Sequence, residues 1–446
     1  MIVSMSDILQ KQSQWDAQQK QKNIFRANRR TALDYYNGRT QSYTEKLFSE
    51  KLTESIPIAN VNITKRIVDR ISMVYMVEPL REYTREDIPD LFYQKNHKLQ
   101  RLERYTNLLD AVLIKPCWRN NNIEYDIIHD YEPHFGSDPM KPIAFTYPLQ
   151  IKSEVLDDTP TLYEYWDAET HLIYDEDGKI QPNPDNPENL NWYGVLPFVE
   201  CWRDGKPEYA YFDTDPLTDL IQTNYLINVS ETNKMANVHY QSFGYLYANG
   251  SQVDKDDLEV GQDKIMYLGM DGNLNVVSPP NSIPALSEAI KDSYKMLTQN
   301  YHLPTSFAEG TTAESGVALR LRNQELQDER KSDIVRWRNV EMELFELEKI
   351  IVLQETGSDA GELLSIDFSE STDILSAQEQ RDKWEWELSK GLIDKADILM
   401  QMNPDGFPDR EAAHDYLFER TDADLDIEDD DEEQSNPLLD ALRKPV

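Results

Sequence analysis

The longest stretch of the sequence without a helix-breaking residue limits what the chain can build. After Gly316, no proline or glycine occurs before Gly357. As one continuous helix, residues 315–354 would rise about 1.5 Å each and span roughly 60 Å. A globular domain rarely needs such a helix, whereas a ring or a bundle does. An apolar stripe at helical spacing predicts packing along another helix. The stripe consists of Trp337, Val340, Leu344, Leu347 and Ile351.

Periodicity and turn residues predict helices on both sides of a β-rich stretch. An N-terminal helix is expected over 5–36, ended by Gly38. Another begins after Asn62, and a third is expected over 97–115, ending at Pro116. Short β-branched and aromatic runs then predict a β-rich lobe over about 117–212. The expected strands are 123–128, 143–147, 161–166 and 171–174.

The middle of the chain predicts a helix, a small β module and a second helix. Asp215 and Pro216 predict an N-cap followed by proline at the first helical position. The first helix would run to about residue 237, the β module over 240–283 and the second helix over 284–300, which makes one hairpin-like unit. Beyond Gly357, three short helices are expected. They are 376–390, 395–402 and 410–419.

The net charge of −37 is unevenly distributed. Residues 1–122 hold 20 basic and 14 acidic residues, and the remainder holds 25 basic and 68 acidic ones. Such acidity repels nucleic acid at long range and argues against tight DNA binding, although solubility explains it equally well. Residues 421–433 contain nine acids and no base, which predicts a disordered or solvated tail over 421–446.

Motifs for common chemistries are absent from the sequence. There is no P-loop, nucleophile elbow, Cys-x-x-Cys or His-Glu-x-x-His. His129 and His134 are the closest histidine pair, and solvated histidines explain them better than a metal site does. The two cysteines, Cys117 and Cys201, are expected to be reduced thiols. No apolar run is long enough to span a membrane. We therefore expect no catalytic residue, cofactor or metal.

Five motifs, in this order, resemble a known family. They are Tyr35-Tyr36-Asn37-Gly38, the Asn-rich helix entry from Asn60 to Pro79, Gly194-Val-Leu-Pro-Phe-Val199, Ser315-Gly-Val-Ala-Leu319 and Leu388-Ser-Lys-Gly-Leu-Ile393. Their order and spacing over about 35–420 resemble the portal proteins of tailed bacteriophages. The resemblance depends on the combination of the five motifs.

The resemblance implies a mixed α+β, predominantly helical, elongated subunit with wing, stem, clip and crown regions. The implied regions are a wing of 1–214 that includes the β-rich lobe, stem helices of 215–239 and 284–303, a clip of 240–283, a tunnel loop of 304–314, a long wing helix of 315–356, a crown of 357–420 and the acidic tail of 421–446.

The implied function is a ring, usually of twelve subunits, at one capsid vertex. Viral double-stranded DNA would enter and leave through it, driven by a separate terminase ATPase. Expected partners are the terminase large subunit, a head-completion or tail adaptor, the major capsid protein and the scaffolding protein, without a membrane. Assembly would take place in the host cytoplasm, and the subunit would then reside in the virion. A conduit that must not hold DNA is compatible with an acidic chain.

Particular residues receive roles from the resemblance. Small side chains suit a loop that surrounds DNA without gripping it, and stem lysines could form sparse positive rings. The tunnel-loop residues are Thr305, Ser306, Ala308, Glu309, Gly310, Thr311 and Thr312. The stem lysines are Lys234, Lys291 and Lys295. The clip residues for terminase or adaptor docking are Tyr245, Tyr247, Asp256, Asp257 and Tyr267.

Two other classes of function remain open on the sequence. One is a capsid-associated adaptor or scaffold protein, which has no need for two long arms around a small β module. The other is a carboxylate-based hydrolase, which would be supported by a pair of buried acids in one cleft. With 82 acidic residues, the sequence singles out no such pair.

Overall fold

The computed structural model describes residues 5–149, 161–241, 245–249, 273–277, 282–303, 316–368, 377–403, 407 and 409–425. The chain divides into two compact units, one of residues 1–312 and 321–371 and the other of residues 313–320 and 372–446. Helices and several antiparallel sheets confirm the mixed α+β class. Over the described residues, no helix is long and apolar enough to cross a membrane.

The helices follow the predicted order closely. The N-terminal helix ends at Tyr36, as its glycine turn predicts, and the long helix after Gly316 is continuous. The helices up to the long one are α1 (Met5–Tyr36), α2 (Gln41–Glu45), α3 (Glu50–Ser55), α4 (Ile63–Ile71), α5 (Lys95–Leu109), α6 (Thr218–Gln241), α7 (Ile283–Asn300) and α8 (Gly316–Thr356).

The strands form four antiparallel sheets among the described residues. Their orders are β3-β2-β9, β4-β5-β6-β7-β8, β10-β11 and β1-β12. The four strands predicted for the β-rich lobe are confirmed as β3, β5, β6 and β7. The strands are β1 (Leu80–Tyr83), β2 (Ala111–Arg119), β3 (Asn122–Ile128), β4 (Glu132–Phe135), β5 (Pro142–Pro148), β6 (Leu162–Trp166), β7 (His171–Asp175), β8 (Ile180–Gln181), β9 (Val199–Trp202), β10 (Tyr245–Asn249), β11 (Asn273–Val277) and β12 (Leu363–Asp367).

The predicted helix over 97–115 is wrong in its last third. α5 stops at Leu109, and Asp110 has a positive φ of 67° that turns the chain into β2. Residues 111–115 are all buried, because Val112 and Ile114 on one face of β2 and Ala111 and Leu113 on the other belong to two different hydrophobic cores. A strand covered on both faces has a continuous apolar run, which imitates a buried helix in sequence. Pro116 fits because β9 pairs only with residues 111–114 of β2.

The apolar stripe of α8 is buried, but its aromatic partners are not on a parallel helix. The Trp337 ring lies 5.4 Å from Tyr75 in an edge-to-face contact, and Phe345 lies 5.4 Å from Tyr83. Tyr75 belongs to a 3-10 turn and Tyr83 to β1. Through these two aromatic contacts α8 packs on the segment from the 3-10 turn to β1.

Two hydrophobic cores support the first unit. The larger collects buried residues from α1, α4, α5, β2 and the α6, α7 and α8 helices. The smaller core is aromatic and contains Phe145, Trp166, Phe198 and Trp202. Cys117 and Cys201 are free thiols, as expected.

The second unit contains three short helices, of which two lie close to their predicted bounds. The third continues six residues beyond the predicted 410–419, to Leu425, and so includes the first residues of the predicted tail. α10 begins with a capping box, in which Asp394 accepts from the backbone of Asp397 and the Asp397 carboxylate accepts from Asp394. Arg410 donates to Asp394 at 2.7 Å and ties the next helix to this cap. The helices are α9 (Ala377–Lys390), α10 (Lys395–Met402) and α11 (Arg410–Leu425).

Candidate functional site: a helix pair and its anchor

The helices α6 and α7 pack as an antiparallel pair. At one end, the Tyr301 hydroxyl after α7 donates to Asp219 in the first turn of α6. At the other end, β10 and β11 pair antiparallel, with Tyr245 opposite Val277. Contacts between the first and second halves of the predicted helix–β–helix unit thus close both of its ends.

The start of α6 differs from the prediction. Asp215 is the capping residue, since its carboxylate accepts from the backbone N–H of Thr218 at 2.9 Å. Pro216 nevertheless precedes the helix instead of occupying its first position, because Leu217 has a φ of 50° outside the helical range. The buried Leu217 side chain compensates for this backbone by joining the larger core.

One face of α6 carries a buried polar side chain, Asn224, that binds the segment leading into α4. Its Oδ1 accepts from the backbone N–H of Ile63 at 3.1 Å and of Thr64 at 3.0 Å, and from the Thr64 hydroxyl at 2.9 Å. Its Nδ2 donates to the Val61 carbonyl at 2.8 Å. Asn224 is fully buried, so each bond replaces one that water would otherwise make.

The same face continues with two more buried polar residues. Asn228 accepts from the Val61 N–H at 2.8 Å, and the Thr232 hydroxyl accepts from the Ala59 N–H at 3.0 Å. Thr232 also donates to the backbone carbonyl of Asn228 at 2.8 Å. Asn224, Asn228 and Thr232 form what we call the stem ladder.

The stem ladder depends on a match between two repeats. Successive ladder residues are four apart on α6, a rise of about 6.0 Å. Their oxygen atoms accept hydrogen bonds from the backbone N–H groups of residues 59, 61 and 63. These residues are two apart in an extended segment, so their N–H groups follow one another at about 6.6 Å along the chain. The extended segment therefore runs antiparallel to α6. Sequence reasoning missed this role, although polar residues at four-residue spacing on a half-apolar helix are the signal for it.

Two of the family-like motifs meet at this segment. The Asn60 side chain donates to the Gly38 carbonyl at 2.8 Å and accepts from the Thr40 hydroxyl. Asn62 donates to the Tyr36 carbonyl at 2.9 Å and caps α4. The glycine turn after α1 and the asparagine-rich entry to α4 are thus one hydrogen-bonded joint, and α6 is held against it.

Replacing Gly38 by alanine tests this joint. Gly38 has a φ of 73°, and an added Cβ would lie 3.3 Å from Asn62 Nδ2. Gly178 is a matched control, because its φ of 78° carries the same backbone strain and nothing lies within 4 Å of its Cβ position. We expect Gly38→Ala to lower the melting temperature by more than Gly178→Ala, by an amount worth about 1 kcal/mol. Equal melting temperatures would show that the turn does not need close contact with Asn62.

The three stem lysines differ in their surroundings. Lys234 forms an ion pair with Glu231 one turn before it on α6, so it is not an isolated positive charge. Lys291 and Lys295 are exposed and lie four residues apart on the same side of α7. Their position on the helix pair is compatible with the predicted role, which stays a prediction.

The remaining predicted site residues lie mostly outside the described residues. Tyr245 and Tyr247 are in β10, opposite Val277 and Asn275. Outside the described residues lie two groups. The clip residues are Asp256, Asp257 and Tyr267, and the tunnel-loop residues are Thr305, Ser306, Ala308, Glu309, Gly310, Thr311 and Thr312.

A cleft of about 380 Å³ in the first unit holds acidic side chains and therefore bears on the hydrolase alternative. Burial would raise the pKa of Glu164, but hydrogen bonds from His171 and the charge of Lys115 outweigh it and lower the pKa to about 2. Burial would also raise the pKa of Asp126, but hydrogen bonds from Arg119 outweigh it, and the pKa of Asp126 is lowered. A general acid needs a raised pKa, so neither carboxyl suits that role. Over the described chain, no group of three potential ligands could hold a metal.

Glu103 is a buried carboxyl with a structural task. Its two oxygens accept from the N–H of Val74 at 2.8 Å and of Tyr75 at 3.2 Å, which fixes the 3-10 turn beneath α8. Burial raises the pKa of Glu103 from 4.5 to about 7. The negative charge of Asp333 adds to this rise in the pKa of Glu103, but the Glu103 oxygens are already used in hydrogen bonds within the core.

The raised pKa of Glu103 makes stability depend on pH. Between pH 4.5 and 7 the folded chain holds this proton more tightly than the unfolded chain, so the stabilisation is present at low pH and is lost as pH rises through 7. The change is up to about 3 kcal/mol. Glu103→Gln removes the titrating group, and its melting temperature should fall less than that of wild type between pH 5 and 8. If the melting temperatures of the two proteins changed by the same amount between pH 5 and 8, Glu103 would not be the source of the pH dependence.

Comparisons with known proteins give structural neighbours only. No protein-family model and no curated protein matches the sequence. A chain from the neck of an empty gene transfer agent particle, computed with C6 symmetry, has a TM-score of 0.42 and 11% identity over 79% of this chain and 93% of that one. Chains from the virion of the native particle and from its neck, computed with C12 symmetry, have TM-scores of 0.42 and 10% identity over 78% of this chain and 91% of those chains. Similarity at this level carries no argument about activity.

Proposed function

We propose that this chain is a portal subunit of a tailed-phage-like particle. Copies of it close into a ring at one vertex of the capsid, and their α6–α7 pairs surround an axial channel for double-stranded DNA. The observation that carries the proposal is the antiparallel pair, closed by β10–β11 at one end and by Tyr301 at the other. This pair occupies the place along the chain where the motif order implies the stem.

The charges of the helix pair suit passage of DNA without retention. Lys291 and Lys295 are exposed on α7, near the carboxylates of Glu288 and Asp292. Phosphate contacts that are few and flanked by acids are weak and sensitive to salt, which permits sliding. Most of residues 305–312, which come shortly after α7 in the sequence, carry the small side chains expected of a loop around DNA.

The subunit does not supply the energy for DNA movement in this proposal. The sequence has no P-loop, so ATP hydrolysis belongs to a separate terminase that docks on the clip around β10 and β11. A head-completion or tail adaptor takes that surface after packaging. Capsid and scaffolding proteins are the partners during assembly, and the mature location is the virion.

Oligomeric state tests the proposal first. Light scattering under capsid-assembly conditions, followed by negative-stain imaging of the same sample, should give one large species seen as a ring with a central hole. A protein that stays monomeric under those conditions, yet binds preformed capsids, would instead be an adaptor. A compact oligomer without an axial opening would contradict the portal proposal.

A further inference from the structure

We propose that Asn224, Asn228 and Thr232 are positioning residues for the channel, because they fix the axial register of α6 against residues 59–64. The inference rests on the proposed function, since it treats the α6–α7 pair as the channel wall. Its physical basis is independent of that function. All three side chains are fully buried, and together they satisfy the N–H groups of residues 59, 61, 63 and 64.

Polar contacts specify a register more sharply than apolar contacts do. A helix that packs through apolar side chains can shift or rotate slightly at small cost, because such contacts are non-directional. When a buried N–H loses its acceptor, nothing offsets the free-energy cost of removing that N–H from water. Any displacement of α6 along residues 59–64 therefore leaves unsatisfied groups inside the protein.

The sequence of α6 blocks a slip of one turn in each direction. One slip puts Leu220 in the place of Asn224, and its side chain cannot accept from the N–H groups of Ile63 and Thr64. The opposite slip puts Asn224 into the apolar site of Leu220 and Glu231 into that of Ile227, both of which are buried. One register is thus compatible with both the ladder and the core.

A fixed register matters more in a ring than in a single chain. In a closed ring the same contact is repeated by symmetry, so a shift of α6 in every copy would change the aperture between opposite walls. The joint of Gly38, Asn60 and Asn62 holds residues 59–64 in turn. The ladder therefore links the N-terminal motifs of the chain to the width of the channel.

The substitution Thr232→Val tests the ladder with little change of shape. It removes the hydroxyl that accepts from Ala59 and donates to Asn228. Thr232→Ser keeps both bonds and should restore the wild-type behaviour. Thr223→Val is the matched control on the same helix, since among the described residues the Thr223 hydroxyl bonds only to the Asp219 carbonyl of its own helix, at 2.8 Å.

Three readouts follow for assembled rings of the four proteins. Hydrogen exchange of peptides covering 57–64 should be about tenfold faster or more in Thr232→Val than in wild type, and unchanged in the other two. Reconstructions of the rings should show a broader distribution of channel diameters, and in vitro packaging should yield less DNA per assembled ring, for Thr232→Val alone. Rings with wild-type diameter and packaging despite faster exchange would overturn the positioning role.

A measurement on the wild type keeps the inference testable if Thr232→Val does not fold. Amide exchange at residues 59, 61, 63 and 64 should then be as slow as in α6 itself, and exchange at the rate of free chain would overturn the ladder. Failure of the proposed function looks different. In that case the wild type forms no ring and packages no DNA, while the protection of residues 57–64 remains.

Discussion

Replacing Glu341 by leucine is expected to lower the free energy of unfolding by about 3–5 kcal/mol. Glu341 has no solvent exposure, and it accepts from the Tyr75 hydroxyl at 2.9 Å and from two guanidinium nitrogens of Arg81. The Arg81 side chain is only 8% exposed. Without Glu341, the nearly buried guanidinium of Arg81 has no counter-charge. Removing one partner of a buried ion pair is more destabilising than removing both.

The second half of this test removes both charges. The double variant Arg81→Leu, Glu341→Leu should lose much less stability than Glu341→Leu alone, because no uncompensated charge remains. Glu346→Leu on the exposed face of α8 is the control and should change stability little. Melting temperatures and denaturant midpoints measure all four proteins. A double variant at least as unstable as Glu341→Leu would contradict this account of the pair.

Asn224→Leu is expected to destabilise the chain by about 3–5 kcal/mol. The leucine side chain has nearly the same size, but the N–H groups of Ile63 and Thr64 lose their acceptor and the Val61 carbonyl loses a donor. Each buried group left without a partner costs about 1–3 kcal/mol, and the contributions are not additive.

The matched control for Asn224→Leu is Gln222→Leu, since Gln222 is exposed on the same helix. Chemical denaturation should separate the two variants clearly, and hydrogen exchange of residues 59–64 should accelerate only in Asn224→Leu. Equal stability of the two variants would show that the stem ladder contributes nothing to folding.

Local sequence signals were sufficient for most helices and for the strands of the β-rich lobe. The absence of proline and glycine after Gly316 predicts α8, and short β-branched and aromatic runs predict β3, β5, β6 and β7. The error at residues 111–115 has a physical reason. A strand with neighbours on both sides and cover on both faces loses the alternation by which strands are recognised.

Contacts between distant parts of the chain could not be read from the sequence. β1 pairs with β12, with Arg81 opposite Ile366, and neither strand was predicted. Asn224 binds residues about 160 positions earlier. In both cases the local pattern fits several partners, and only the folded arrangement of α4, α6 and α8 selects one. The polar residues of the site were therefore visible in sequence, whereas their role was not.

A reconstruction of the purified ring at a resolution that separates helices tests the central claim most directly. The account predicts that the innermost wall of an open axial passage consists of the α6–α7 pair, with Lys291 and Lys295 on helices next to that passage. A reconstruction in which α6 and α7 lie at the periphery, or in which the axis is closed by a solid core, would contradict it.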